Sequence, residues 1–464
     1  MAKKKTKKKV KTGAPKKAGP KAKSPVKRVS TQKKLKTQAK KASKASKVKT
    51  TKTPASPKKT SKASAAPAKA APKATIAKKV EAVAERPLLS MSNPYKQFQD
   101  IWSPQQESFI HGLKKLFTAF EAPGKTQEQK EQNSAEIIDK IEAGLRKEPV
   151  PADILEQLEE RFPADRVRQL ASIFNLKTRQ SIRLNSLRVD ISGFGESKAG
   201  AEMKAKRCRL SPWGFDVSGP VNPLRSPLYE RGLFEVEDES SQITALMTNA
   251  RPGQRILDLC AREGDHTLAL ACMMKNKGSL FVYDSDPNKL KFLKQRAQRA
   301  GVENIRILSD SQVAEVKSLD VVLVDAPSSG SGLLARQPEI KWRFKKDELS
   351  KIHRLQAALL REAARKLKLG GHLIYVTNSL NRSENEGQIE NFLKAAHNSY
   401  RLVVAADYLK DYVLPYVKNN YGIEWDPKTL ESLLEFEPFL VCTPDRHACN
   451  GLFVAVLERT RISS

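Results

Sequence analysis

The chain has 464 residues, 39% hydrophobic and 6% aromatic, with 84 Lys and Arg against 51 Asp and Glu for a formal net charge of +33. No run approaches the roughly 18 apolar residues that a membrane-spanning helix needs, and no apolar stretch follows the charged N-terminus as a secretory leader requires. Cys208, Cys260, Cys272, Cys442 and Cys449 are too few and too irregularly spaced for a disulfide framework or a CxxC zinc site, so free thiols, a reducing compartment and no metal are expected.

The charge is uneven. Residues 1–86 hold 30 Lys and Arg against only Glu81 and Glu85, a net +28 that leaves +5 for the rest of the chain. Arg28 is the single arginine before Arg86, which argues against an Arg-rich mitochondrial presequence. The segment 1–90 consists mostly of Lys, Ala, Pro, Ser and Thr, and its first aromatic residue comes only afterwards, at Tyr95. Such a tail buries too little apolar surface to offset its backbone entropy, and disorder is expected. Its lysines suit displacement of counterions from nucleic-acid phosphates, and a merely solubilising role is the plainer alternative. Without aromatics it has no stacking platform for bases.

From 93 to 177 the pattern turns helical. Ile101, Phe109, Leu113, Leu116, Phe117 and Phe120 recur at three- and four-residue spacing. Further stripes carry Ile137, Ile138, Ile141 and Leu145, then Ile154, Leu155, Leu158 and Phe162, then Val167, Leu170, Ile173 and Phe174. They are expected to be core, with no chemistry of their own. Residues 178–235, with many Pro and Gly breaks and the run Ile182 to Asn185, read as a small α+β piece.

The region 236–464 alternates. Apolar runs at Ile256 to Cys260, Leu280 to Tyr283, Ile305 to Leu308, Val321 to Val324 and Leu373 to Val376 read as buried strands, with helices over Pro287 to Ala300 and Asp347 to Leu367. The expectation is an α/β domain with a parallel sheet covered on both faces, whose ligands bind beyond the carboxyl ends of the strands. Acids fall at those ends: Asp258, Asp284, Asp310 and Asp325. Each alone is commonly a turn former or helix cap; four on successive strands point to a ligand. An acid ending the second strand is placed for the ribose hydroxyls of an adenosine cofactor, and the next one can reach the adenine amino group.

Three runs bear a resemblance: Ile256-LDLCAREGDHT-Leu268, Asp320-VVLVDAPSSGSG-Leu333 followed by Ile340-Lys341-Trp342, and Tyr375-VTNSLNRSENE-Gly387. With the flanks Gly232-LFEVEDESSQ-Ile243 and Asn450-GLFVAVL-Glu458, they resemble the ordered motifs of the RsmB/Nop (Sun) family of RNA cytosine-C5 methyltransferases over roughly residues 160–460. The resemblance implies a class I, Rossmann-like S-adenosylmethionine methyltransferase domain with a seven-stranded sheet, preceded by a small RNA-contacting subdomain. It places Asp284 at the cofactor ribose, Asp310 at the adenine and Asp325 at the reacting cytosine. It also places Leu257, Cys260, Gly264 and Lys289 around the cofactor, and Arg183 and Asn185 in an RNA-contacting segment. Beside that segment, the cluster Lys204, Lys206, Arg207 and Arg209 suits RNA phosphates, with a solvated charged face as the alternative.

The same resemblance marks departures. The family's nucleophilic cysteine position is Asn378 here, and its product-release cysteine position is Ser328. An amide has no ionisable nucleophile, and a serine hydroxyl needs a base. In the cofactor loop Arg262, Glu263, Asp265 and His266 replace Ala, Pro, Gly and Lys, which is expected to remove positive charge near the cofactor carboxylate. His266 as a general base competes with the plainer reading of a loop histidine without a role. Two readings follow: an RNA-modifying enzyme that still uses S-adenosylmethionine, or a catalytically silent RNA-binding pseudoenzyme in ribosome assembly. A DNA compactor acting through the tail alone is a third. The expected partner is ribosomal RNA, with no membrane, for a monomer that is cytoplasmic and ribosome-associated if bacterial and nucleolar if eukaryotic.

Overall fold

A computed structural model describes residues 139–220 and 222–461. The basic tail and the stripe from Ile101 to Phe120 lie outside the described residues.

Amphipathic spacing builds the first described elements, the helices over 139–147, Ala152–Glu159 and Ala164–Ile173. Proline precedes the second and third, where its fixed φ suits a helix start. Their apolar faces pack together through Ile154, Leu158, Phe162, Val167, Leu170 and Phe174, and onto Leu333, Leu334, Ile340 and Leu380 of the following domain. The helices therefore cover loops that leave the sheet. Lys341 fastens this contact, its buried ammonium donating to the carbonyls of Leu145 and Glu148 and to Asn175 Oδ1. Burial lowers its pKa to about 8, opposed by Glu148.

Next comes an antiparallel sheet of β1 (Gln180–Leu184), β2 (Lys206–Arg207), β3 (Gly214–Val217) and β4 (Phe234–Val236), in the order β2-β3-β1-β4. Ile182, Leu184, Phe215 and Phe234 share one apolar core with Ile243, Leu246, Leu268 and Leu280 of the larger domain.

That domain is built on β5 (Arg255–Asp258), β6 (Ser279–Val282), β7 (Ile305–Ile307), β8 (Leu319–Asp325), β9 (Leu367–Thr377), β10 (Tyr400–Val403), β11 (Leu440–Cys442) and β12 (Leu452–Arg459). The order is β10-β12-β9-β8-β5-β6-β7, with β5 to β9 parallel and β12 antiparallel to β9. Seven positions are expected and eight strands are found. Both β10 and β11 pair with β12, β10 along Val456 to Arg459 and β11 along Leu452 to Val454, so two short strands share one edge. The near-continuous apolar runs of β5, β8 and β9 follow from burial on both faces. Chain order reverses between β5 and β8, which sets the ligand crevice beyond the ends of those two strands.

Candidate active site

The crevice is bordered by Asp258, the last residue of β5, and Asp325, the last of β8. Asp258 is fully buried and accepts a hydrogen bond from Thr267 Oγ1 at 2.6 Å. Burial raises its pKa to about 6, opposed by His266 and Thr267. Between β5 and the helix Asp265–Met273 the chain turns through Gly264 at φ +95°, where a Cβ would lie 2.7 Å from Leu293 Cγ. Glycine is therefore required at that turn.

Asp284 follows β6 and is partly exposed. Its Oδ2 accepts the Arg262 backbone N–H at 2.8 Å and its Oδ1 accepts that of Asp286 at 2.9 Å. Each oxygen keeps a further lone pair, as hydroxyl donors would need. Asp310 stands exposed at the start of the helix Asp310–Glu315 and accepts from the Tyr283 hydroxyl at 3.0 Å. Lys289 lies partly exposed in the first turn of the helix Pro287–Ala300.

The other end of the crevice is closed by the chain itself. Asp325 is 5% exposed, and its Oδ2 meets Arg262 Nη1 at 3.2 Å and His266 Nε2 at 3.4 Å. Burial would raise the pKa of Asp325, but the His266 hydrogen bond and the Arg262 charge outweigh it and the pKa falls. Burial would likewise lower that of His266. Its hydrogen bond to Asp325, with the charges of Asp325, Asp258 and Glu237, raises it to about 9. The imidazole is thus a cation at neutral pH and cannot serve as a base. The expected loss of positive charge in this loop is corrected accordingly. Arg262 and His266 supply it, while Asp265 is drawn to Arg296 at 2.7 Å.

Asn378 follows β9, where three backbone segments meet. Its Nδ2 donates to the Gly451 carbonyl at 3.1 Å, its own carbonyl accepts the Gly332 N–H at 2.9 Å, and the Gly451 N–H donates to the Gly332 carbonyl at 2.8 Å. A Cβ at Gly451 would stand 2.6 Å from Gly332 Cα, so the approach is close. The Asn378 amide closes this junction. Ser328 is nearly buried on the loop after β8. Its neighbour Ser329 and Ser379 both donate to the buried carboxylate of Glu384, at 2.5 and 2.6 Å, and Asn381 adds a third bond at 2.9 Å. Those hydroxyls tie the loop after β8 to the loop after β9. Cys260 offers no substitute thiolate, because burial, with Asp284 and Asp325 nearby, pushes its pKa well up.

Several expected ligand contacts fall elsewhere. Arg183 is 1% exposed and paired with Glu237 at 2.5 Å inside the core. Asn185 is equally buried and donates to the carbonyls of Gly232 and Ala300. Neither side chain faces solvent, which corrects the expectation that they contact RNA. A guanidinium inside a strand of β-type pattern is satisfied by a partner 54 residues away, and no local signal announces that. Leu257 is likewise wholly buried in the apolar core and offers its side chain to no ligand. Lys204, Lys206 and Arg207 are exposed, the latter two on the edge strand β2. Glu384, Arg262 and Glu237 were not legible as partners from their positions.

The family model for 16S rRNA methyltransferase RsmB/F matches residues 245–458, the span that holds every acid of the crevice. Those residues form a domain of the RsmB/F methyltransferase type. It is 27% identical over 356 residues to a probable ribosomal RNA small subunit methyltransferase B of Synechocystis, covering 75% of this chain and 76% of that protein. It is 26% identical over 250 residues to the Bacillus subtilis protein of the same description, covering 53% of this chain and 56% of the relative. This chain therefore spans little more than half of the Bacillus protein. A crystal structure described as a methyltransferase homolog from Pyrococcus horikoshii superposes with a TM-score of 0.52 at 24% identity, over 67% of this chain and 99% of that one. That likeness is one of fold.

An RsmB/F methyltransferase domain implies S-adenosylmethionine, and the crevice fits it unevenly. Asp284 and Asp310 leave acceptors open at one end, as an adenosine requires. At the other end Asp325 already holds two cations. Among the described residues no helix is long and apolar enough to cross a membrane.

Proposed function

We propose that this RsmB/F-family chain is a ribosomal-RNA-binding protein with an adenosine-type cofactor cleft that does not make 5-methylcytosine by the cysteine-adduct route, a pseudoenzyme for that reaction. The observation that carries this is Asn378. Its amide is held by the Gly451 carbonyl and, with the nitrogen lone pair delocalised into the C=O, is not a nucleophile toward carbon. Ser328 would need a base, and His266 is a cation bound to Asp325. When bound, S-adenosylmethionine supplies an electrophilic methyl group, and Asp284 and Asp310 are the residues that would hold its adenosine. RNA affinity is assigned to Lys204, Lys206 and Arg207 on the exposed edge, and to the Lys-rich segment 1–90 as a sequence-independent grip.

The test is labelled methyl transfer from S-adenosylmethionine to ribosomal RNA by the full chain, followed by nucleoside analysis. No labelled 5-methylcytosine is expected; its formation, abolished by Asp325→Ala, would overturn the reading. A second reading, methyl transfer to an RNA atom that needs no covalent adduct, is favoured by the open acceptors of Asp284 and Asp310. A different labelled nucleoside in the same digest would establish it.

A further inference from the structure

Arg262 touches two of the four acids of the cleft, Asp284 and Asp325. Its backbone N–H donates to Asp284 Oδ2 at 2.8 Å, and its guanidinium donates to Asp325 Oδ2 at 3.2 Å. It does so from φ +51°, a left-handed backbone conformation uncommon outside glycine, asparagine and aspartate. The two ends of this ion pair differ in access. The Arg262 side chain is 36% exposed, whereas that of Asp325 is 5% exposed and has His266 on the same oxygen. Arg262 is therefore the solvent-facing partner of the pair, and Asp325 the buried one. Any cationic group that approaches Asp325 meets a guanidinium already seated there.

We propose that Arg262 is a built-in competitor for Asp325, a gate that admits the adenosine end of S-adenosylmethionine freely and its cationic methionine end only when the guanidinium swings out. This rests on the reading that the cleft takes that cofactor. The logic is population shift. A ligand that binds only the open form has its apparent affinity reduced by the fraction of molecules that are open. Adenosine has no ammonium or sulfonium group, engages Asp284 and Asp310, and does not depend on the gate.

The test is titration calorimetry of the full chain and of Arg262→Ala and Arg262→Asn, with S-adenosylmethionine and with adenosine. Asparagine tolerates the left-handed backbone, so this variant keeps the turn if alanine strains it. Both variants are expected to bind S-adenosylmethionine about tenfold more tightly than the unaltered chain, with adenosine affinity changed less than about twofold. Unchanged or weaker binding of S-adenosylmethionine by both variants, with adenosine still bound, overturns the gate and leaves the cofactor reading standing. Weaker binding would mean that Arg262 holds the cofactor carboxylate instead. Failure of every protein to bind either ligand overturns the gate and the cofactor reading together.

Discussion

Two sets of charged side chains have opposite fates. Asp284, Asp310, Lys204, Lys206 and Arg207 face outward with bonding capacity to spare. Asp325 is held by Arg262 and His266, and Arg183 by Glu237, and of these five only Arg262 keeps a large part of its side chain in solvent. The difference teaches that residue type names a possible chemistry and the partner decides whether it is available. In the crevice the boundary between the two sets falls within a single ligand's length. One end is open to an adenosine, and the other is occupied by the chain's own ion pairs.

The comparison breaks most visibly at Arg183. Removing one member of a buried ion pair leaves an uncompensated charge, so Arg183→Ala is expected to lose about 3–5 kcal/mol in chemical denaturation. A loss below about 1 kcal/mol would place Arg183 with the outward set.

A smaller effect is expected from His266, and it depends on pH. Its folded-state pKa, about 9, lies above the ordinary value of 6.5. The stability it contributes is fully present below pH 6.5 and is lost as pH rises through 9. Asp325, Asp258 and Glu237 are the acids that surround it. The free energy of unfolding measured across this window should fall, by on the order of 3 kcal/mol, and His266→Gln should flatten that slope. An unchanged slope in the variant would remove His266 from the internal set.

Asn378→Ala deletes one neutral hydrogen bond at the meeting of three loops and should cost about 0.5–1.5 kcal/mol. Greater stability in the variant would mean that the amide is strained there and is not a clasp.

The smallest stability change belongs to the outward lysine. Lys206→Ala should shift stability by less than about 0.5 kcal/mol while weakening RNA binding and lowering its salt slope by about one. An unchanged salt slope would make this edge an ordinary solvated face.

Much of the larger domain is legible in sequence because its signals are local. Continuous apolar runs mark β5, β6, β8 and β9, and the helix Pro287–Ala300 begins at a proline and ends before the left-handed Gly301. The acids are legible for the same reason, since each lies at the carboxyl end of a strand or just beyond it. The eighth strand is not, because β11 has only three residues and exists by pairing with Leu452 to Val454 of β12. The fate of Arg183 is also illegible, since Glu237 lies beyond three further strands and the helical turns between them.

By itself the sequence determined the class of the fold, the order of its motifs, the acids at the strand ends and the absence of a thiol at positions 328 and 378, because periodicity, turn chemistry and residue identity are written locally. Only the tertiary structure decided that Asn378 serves as a clasp, that Arg183 and Asn185 are interior, and that Arg262 and His266 sit on Asp325. Those outcomes depend on pairings between segments tens of residues apart. Such pairings come into being when the sheet brings its strand ends together and excludes the water that would otherwise solvate each charge separately.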